Sequence, residues 1–482
     1  MSPARSRSNS GLSAFLYSGV GDLASVADAM RQSPMSTLRS VSSMQFSDIY
    51  KSISLSKSVR SLASSLQTSL ADDKDEGFYA DEYETGRVDF VAELPGELVV
   101  QIFSLLPPTA IAACSRVSRA WKAVCDSNEV WRLQFAARPQ WHTLSREQIP
   151  LSVPWREMYR TRHQLEARWQ HGRVRAKTLN GHDDSVYCLH FDGQKIVTGS
   201  RDHSVKVWSY ATGELLRTLD LASDNPPTSP DGEVIGHAGS VLSLQFDEDI
   251  MVTGSSDASC IVWDVRTFRP LRRIVRHQAG VLDIALDAKN IVSCSKDGVL
   301  SVWDRTNDYA ERLRLEGHQG PVNAIDIRGR YIASAGGDCI VKLWDIETGE
   351  CLRDFRGHSR GLACVQITED CRMIASGGND NMIRVWDLQT GRCLRVLNEH
   401  TSLVRSLHIH GSRLVSGSYD MTVKVWDLDT FKLTLDLTGW HGSWVFAAKA
   451  DCRRIVSTSF GSKLVVLDFA HGLDSRYLKY LN

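Results

Sequence analysis

The chain of 482 residues is too long for one ordinary core, and its length suggests about two to four domains. Apolar residues make up 42% and charged residues 23%, and the formal net charge is −1, so no global electrostatic pull toward nucleic acid or an anionic membrane is expected. No apolar run approaches the roughly eighteen residues that cross a bilayer, and the first twenty residues are broken by Ser, Arg and Gly where a secretory signal would be apolar.

Residues 1–88 are Ser-rich with few aromatics and bury too little apolar surface to offset ordering entropy, so a disordered tail is expected, with Ser8, Ser33 and Ser40 open to phosphorylation. Within it Ile49, Ile53, Val59, Leu62, Leu66 and Leu70 approximate one helical face. A transient helix is the expected reading there, and a homodimer through residues 49–70 is the alternative. Asp22, Asp28 and Asp48 speak against a mitochondrial leader, and an acidic linker, Asp72 to Glu84, closes the segment.

From residue 89 to residue 136 the pattern is helical. Leu94-Pro95-Gly96-Glu97 opens a first helix, with Pro acceptable in its first turn, and Leu98, Ile102, Leu105 and Leu106 recur at helical spacing. Pro107-Pro108 ends that helix, Thr109 is expected to cap the next, and another begins after Ser127 and carries Val130, Trp131 and Phe135. The first helix is apolar nearly all round, and so small a module holds little core of its own. It therefore needs a partner on its outer side. Residues 137–172 read as a helical linker, with an Arg-rich amphipathic helix between Trp155 and Arg175 serving as a stiff spacer.

Residues 173–470 repeat. A His recurs at His182, His237, His277, His318, His358, His400 and His441, and beyond the first gap the period is about forty residues, that of a four-stranded propeller blade. Behind the first six stand Asp202, Asp257, Asp297, Asp338, Asp380 and Asp420, each six residues ahead of a Trp: Trp208, Trp263, Trp303, Trp344, Trp386 and Trp426. Short β-branched runs such as Lys195 to Ser200 supply the strands. Four strands cannot bury both faces alone, so the units must close into a ring. An insertion, residues 221–235, separates the first two units; its Pro-Pro and Asp-Gly mark loop chemistry, and it is expected to project from the substrate face and to be tolerated there. Residues 471–482 form a C-terminal tail.

These spacings resemble the WD-repeat family. The resemblance implies a seven-bladed propeller in which His, a second-strand Ser or Thr, Asp and Trp form a hydrogen-bonded tetrad; Thr198, Thr253, Ser293, Ser334, Ser376 and Ser416 would fill the second-strand place. A trio of His, Ser and Asp could be taken for a hydrolytic triad, but its recurrence beside a Trp in six units makes it scaffold. The seventh unit keeps His441 and Ser457 but has Gly461 and Leu467 where Asp and Trp belong, so a weaker internal network is expected. The family also implies that its outer strand comes from Val174 to Leu179.

The helical stretch resembles an F-box, on Leu94-Pro95, Leu98, Ile102-Phe103, Leu105, Pro108, Val117-Ser118-Arg119, Trp121 and Trp131. This resemblance implies that Leu94, Pro95, Leu98, Ile102, Phe103, Leu105, Pro108, Val117, Trp121 and Trp131 bind a Skp-type adaptor and, through it, a cullin–RING complex. The mainly β fold, small α motif and spacer together resemble F-box/WD-repeat proteins, the substrate receptors of SCF-type ubiquitin ligases.

The family builds its substrate face from two positions per blade: Tyr187, Leu242, Leu282, Asn323, Ala363, Arg405 and Phe446, and Arg201, Ser256, Lys296, Gly337, Asn379, Tyr419 and Phe460. Aromatics beside Arg mark binding hot spots, so blades six, seven and one, with Trp444 added, are expected to hold a linear protein segment. Phosphate recognition would rest on Arg201, Arg405 and Lys296, and an aromatic-led motif is favoured over it. The expected function is that of a non-catalytic substrate receptor acting by proximity, with a non-ligase scaffold as the alternative. An enzyme is disfavoured, because neither a phosphate loop nor a set of metal ligands is present. No cofactor is expected. Eleven scattered cysteines without a C-x-x-C pair suggest neither disulfides nor zinc, and place the chain in the cytoplasm, the nucleus or both.

Overall fold

The computed structural model describes residues 89–138, 141, 152–221, 226–478 and 480. The tail 1–88, with its amphipathic stretch and the dimer reading, lies outside them, as do residues 142–151 of the linker. Among the described residues no helix is long and apolar enough to cross a membrane. They divide into two compact units, the first ending at Arg160 and the second beginning at Thr161.

The first unit is all helical: α1 (Phe90–Glu93), α2 (Gly96–Ser104), α3 (Pro108–Cys114), α4 (Arg119–Cys125) and α5 (Asn128–Ala136), joined by the first turns of α6 (Trp155–Gln170). Thr109 does not cap α3. Pro108 takes the first helical position, where its fixed φ suits the helix and its missing N–H costs nothing, so Thr109 falls inside. Ser118 caps α4 by accepting from the Trp121 amide, and Ser127 caps α5 by accepting from the Val130 amide. A helix separate from α3, α4 was not expected from the sequence. The spacer helix ends at Gln170 rather than running to Arg175, because Gly172 turns the chain with φ +62° and Arg175 begins a strand.

The second unit is a ring of seven four-stranded antiparallel sheets. Blade one is β2 (Val186–Phe191), β3 (Lys195–Ser200), β4 (Val205–Ser209) and β5 (Leu215–Leu219), and blades two to six repeat it over residues 241–275, 281–315, 322–356, 362–397 and 404–437. Blade seven is built from β26 (Val445–Ala450), β27 (Arg454–Ser459) and β28 (Lys463–Asp468), and its outer strand is β1 (Arg175–Asn180). β1 pairs with β28 in unbroken register from Arg175↔Asp468 to Asn180↔Lys463, so the first strand of the propeller closes its last blade.

Each core lies between neighbouring blades. Val197, Val205 and Val207 of blade one pack with Val241, Leu244 and Trp263 of blade two, and Leu179, Ile196 and Trp208 pack with Val456, Leu464 and Val466 across the closure. No sheet buries both faces alone, which is why the ring is needed. The insertion between blades one and two folds back on itself: Thr228 bridges Val234, the Ile235 amide donates to the Pro227 carbonyl, and Ile235 is buried in the blade-two core.

Candidate functional site

The repeated His, Ser and Asp are tied into the blades. In blade one the Trp208 Nε1–H donates to Thr198 Oγ1 (2.9 Å), Thr198 Oγ1 lies 2.8 Å from His182 Nε2, and His182 Nδ1 lies 2.8 Å from Asp202. Blades three to six repeat the chain with distances of 2.7–3.0 Å, and in blade two the His237–Asp257 contact lengthens to 3.5 Å. The donor order, Trp N–H to hydroxyl, hydroxyl to Nε2, Nδ1–H to carboxylate, requires a neutral imidazole. Burial holds His237, His277, His318 and His358 below the ordinary imidazole range, in line with that order. Burial alone would raise Asp202, yet hydrogen bonds from His182 and Ser204 outweigh it and keep the carboxylate well below its usual range. Every member is consumed internally, so none is free to act on a substrate.

In blade seven His441 Nε2 meets Ser457 Oγ at 2.8 Å, and Gly461 leaves its other nitrogen without a carboxylate. Burial pushes this imidazole down to about 4. The network there is weaker, as the sequence implied.

The two families of face positions are both set by the blade. Tyr187, Leu242, Leu282, Asn323, Ala363, Arg405 and Phe446 all line the central cavity, of about 120 Å³. The second set is fixed by one recurring bond: the amide of each residue before the tetrad position donates to a carbonyl just ahead of the blade's innermost strand, from Arg201 to Ser185, Lys296 to Gly280, Tyr419 to Leu403 and Phe460 to Trp444.

The aromatics of blades six, seven and one converge. Tyr419 stacks on Trp444 (centroids 5.0 Å, planes 9° apart), Phe446 meets Tyr187 at 5.1 Å and Tyr419 at 5.8 Å, and Phe460 meets Trp444 at 5.8 Å. Phe446 is buried at the foot, while Trp444 and Phe460 are 49% and 51% exposed. Trp440 and Met421, from the same two blades, are exposed as well and were missed from sequence. Tyr187, Tyr419, Trp444, Phe446 and Phe460 touch one another in a single cluster, unlike scattered surface residues. Arg405 reaches the Ala363 carbonyl (3.3 Å), and exposed Arg201 lies 3.6 Å from Asp184. Arg201 and Arg405 stand on blades one and six beside the aromatics, whereas Lys296 is on blade three, across the ring.

Sequence reasoning also missed a polar ring along the axis. On the innermost strands His190 Nδ1, Gln245 Oε1, Asp326 Oδ2, Gln366 Oε1 and His408 Nδ1 each accept an amide of the next blade, at 2.7–3.3 Å. Blade seven has Lys449 in this place, which can only donate. The pattern was visible as one polar residue recurring at the same place of six innermost strands. Burial pushes Asp326 up to about 6 and lowers Lys449.

In the helical unit α2 carries two apolar stripes. At about 100° per residue Leu98, Ile102 and the C-cap Leu105 fall within an arc of about 60°, with Leu94 just ahead of the helix, and Val99 and Phe103 lie on a second arc. The second stripe is core: Val99 and Phe103 are buried, and Phe103 meets Trp121 edge-on at 5.4 Å. The first stripe faces outward, with Leu94, Leu98 and Ile102 half-buried and Leu105 56% exposed. Pro95 is exposed beside it, and Pro108 and Val117 are half-buried. Three expected contact residues thus change role. Phe103, Trp121 and Trp131 are interior, and Trp121 and Trp131 donate to Asp89 (2.8 Å) and the Cys125 carbonyl (2.7 Å). Large aromatic side chains are the means by which so small a unit fills its core.

Comparison with known proteins matches these two features. An F-box-like family model covers residues 91–136, and the model for the WD domain, G-beta repeat, covers 173–209, 229–264, 268–304, 311–345, 349–387 and 391–427. The chain belongs to the F-box/WD-repeat family. Blade seven of this F-box/WD-repeat protein, which lacks the tetrad Asp and Trp, is the one unmatched by the repeat model. Relatives include the Drosophila melanogaster "F-box/WD repeat-containing protein 7", 35% identical over 168 residues (33% of this chain, 12% of that protein). The "Probable E3 ubiquitin ligase complex SCF subunit sconB" of Arthroderma benhamiae is 30% identical over 306 residues (56% and 44%). An F-box protein of Saccharomyces cerevisiae is 28% identical over 159 residues (28% and 25%). The chain spans less than half the length of each of these relatives.

Proposed function

We propose that this chain is the substrate-recognition subunit of an SCF-type ubiquitin ligase. The outward stripe Leu94, Leu98, Ile102 and Leu105, with Pro95, Pro108 and Val117, docks on a Skp-type adaptor and so joins a cullin–RING complex. The aromatic cluster of blades six, seven and one holds a linear segment of a protein substrate. The chain then works by geometry, keeping substrate lysines near a ubiquitin-charged enzyme, and supplies no reacting group of its own.

One observation carries this reading. The same chain has an F-box-like unit whose main helix turns an apolar row outward and a propeller that gathers aromatics of three adjacent blades around the exposed Trp444 and Phe460. Two unpartnered apolar surfaces on separate units suit a bridging protein. Relatives named as SCF subunits support the choice of complex. The reading is aromatic-led: Arg201 and Arg405 can add charge-assisted bonds to an acidic flank, and phosphate is not required. It places the protein in the cytoplasm, the nucleus or both.

The test is co-expression with a Skp-type adaptor, followed by reconstitution with a cullin–RING core. A stoichiometric complex that ubiquitylates captured proteins supports the proposal. A monomer indifferent to the adaptor ends it. Phosphatase treatment of captured substrate should leave binding intact.

A further inference from the structure

At the blade-seven to blade-one closure the propeller holds a cavity of about 710 Å³ that shares no lining residue with the aromatic cluster. Its walls are β1, β28, the turn after β4 (Ala211 to Gly213), and Arg453 and Arg454 where β27 begins, with the C-terminal residues Leu473 and Leu478 along one side. The volume is that of an ordinary small-ligand pocket. The floor is apolar, with Leu179, Ile196 and Val466.

The charge is one-sided. Arg175, Lys177, Arg453 and Arg454 face a single lining carboxylate, Asp468, a formal balance of +3 on a chain whose net charge is −1. Asp468 is already taken by Arg454 (3.0 Å). Nearby Asp451 accepts the Tyr210 hydroxyl (2.6 Å) and the amides of Arg453 and Arg454. That leaves Arg175, Lys177 and Arg453 without an ion-pair partner among the described residues. Lys177 and Arg453 donate to carbonyls, of Thr212 and Leu478, and Arg175 donates to the His471 ring, 3.2 Å from both of its nitrogens. Three cations around one cavity repel one another, and an anion among them relieves that repulsion.

We propose that this pocket binds a compact polyphosphate anion, such as a polyphosphorylated small molecule free in solution. Guanidinium groups of Arg175 and Arg453 match phosphate oxygens in a forked geometry, Lys177 adds a point charge, and the His471 ring supplies an N–H beside them. One carboxylate cannot neutralise three cations at once, whereas clustered phosphates can. Because the site closes on β1 and β28, its ligand also clamps the strand pair that seals the ring.

The experiment titrates the purified full-length protein, in complex with its adaptor, with inorganic tripolyphosphate at about 0.15 M salt, using calorimetry and thermal unfolding. Saturable binding with a raised unfolding temperature is expected, and sodium sulfate at equal ionic strength should not reproduce it. Arg175→Ala with Lys177→Ala should weaken binding at least tenfold. Arg453→Ala with His471→Ala, which leaves β1 untouched, should do the same, so a folding defect in the closing strand cannot imitate the result. Absence of binding at millimolar tripolyphosphate, or binding by both double variants as tight as the parent's, overturns the proposal. So does binding of an octaglutamate peptide in preference to tripolyphosphate, or sedimentation of the protein with phosphatidylinositol bisphosphate vesicles while free tripolyphosphate fails to compete.

Discussion

Trp444 lies flat against Tyr419, ring centroids 5.0 Å apart and planes 9° from parallel, joining the loop that enters blade seven to the turn of blade six. Trp444 is half exposed, with Tyr419 stacked on it and Phe460 packed against it at 5.8 Å. A supported aromatic loses little side-chain entropy when a ligand arrives. Tyr419→Ala or Trp444→Ala should therefore lower substrate capture by about tenfold to a hundredfold, an anchor's ordinary contribution of roughly 1.5–3 kcal/mol. Adaptor binding should be unchanged in the same pull-down, and a retained substrate set would remove the cluster from the binding surface.

The two stripes of α2 predict opposite phenotypes. Leu98→Asp with Leu105→Asp alters outward side chains, so the protein should fold with little change in unfolding temperature and lose the adaptor complex. Phe103→Ala empties a fully buried site and should cost about 3–5 kcal/mol of the helical unit's stability. Size-exclusion chromatography with adaptor and thermal unfolding of each variant separate the two.

His441 gives blade seven a pH dependence. Its folded pKa of about 4 lies below the ordinary value near 6.5, because burial penalises the charged ring and no carboxylate compensates. The unfolded state therefore binds the extra proton between about pH 6.5 and 4, and stability from this group falls as pH drops through that window. The full effect is on the order of 3 kcal/mol. His441→Gln should flatten the pH–stability curve in that window relative to the parent, as read by denaturant unfolding at pH 7, 6, 5 and 4. An identical slope in both proteins would show that His441 is not the titrating group.

Ring closure rests on β1. A chain beginning at residue 154 keeps β1 and should give a monomeric propeller. One beginning at residue 181 loses six paired residues and exposes the ladder edge of β28, so it should aggregate or unfold at lower temperature. Equal stability of the two truncations would mean that the ring closes without its first strand.

The propeller was legible because its signal is local and periodic. His182, Thr198, Asp202 and Trp208 sit within one blade, and their spacing repeats wherever the same four-stranded unit recurs. The aromatic cluster was legible for a related reason: once Tyr419 and Phe460 occupy equivalent places in adjacent units, ring order makes them neighbours. Phe103, Trp121 and Trp131 were assigned to the wrong side, since an all-round apolar helix does not reveal which stripe its own neighbours cover. Trp440 and Met421 escaped notice because neither holds one of the two positions per blade from which the face was read.

Sequence alone determined how many blades form, which side chains lock each one and where an apolar helical unit precedes them, since these depend on contacts within a repeat or a helix. Only the tertiary structure decided what depends on residues far apart in the chain. It put Phe103 against Trp121 and so turned Leu98 outward, and it brought Arg175 to Arg453 and His471 across the closure. Burial and electrostatic balance are properties of the assembled neighbours, and no periodicity in one strand encodes them.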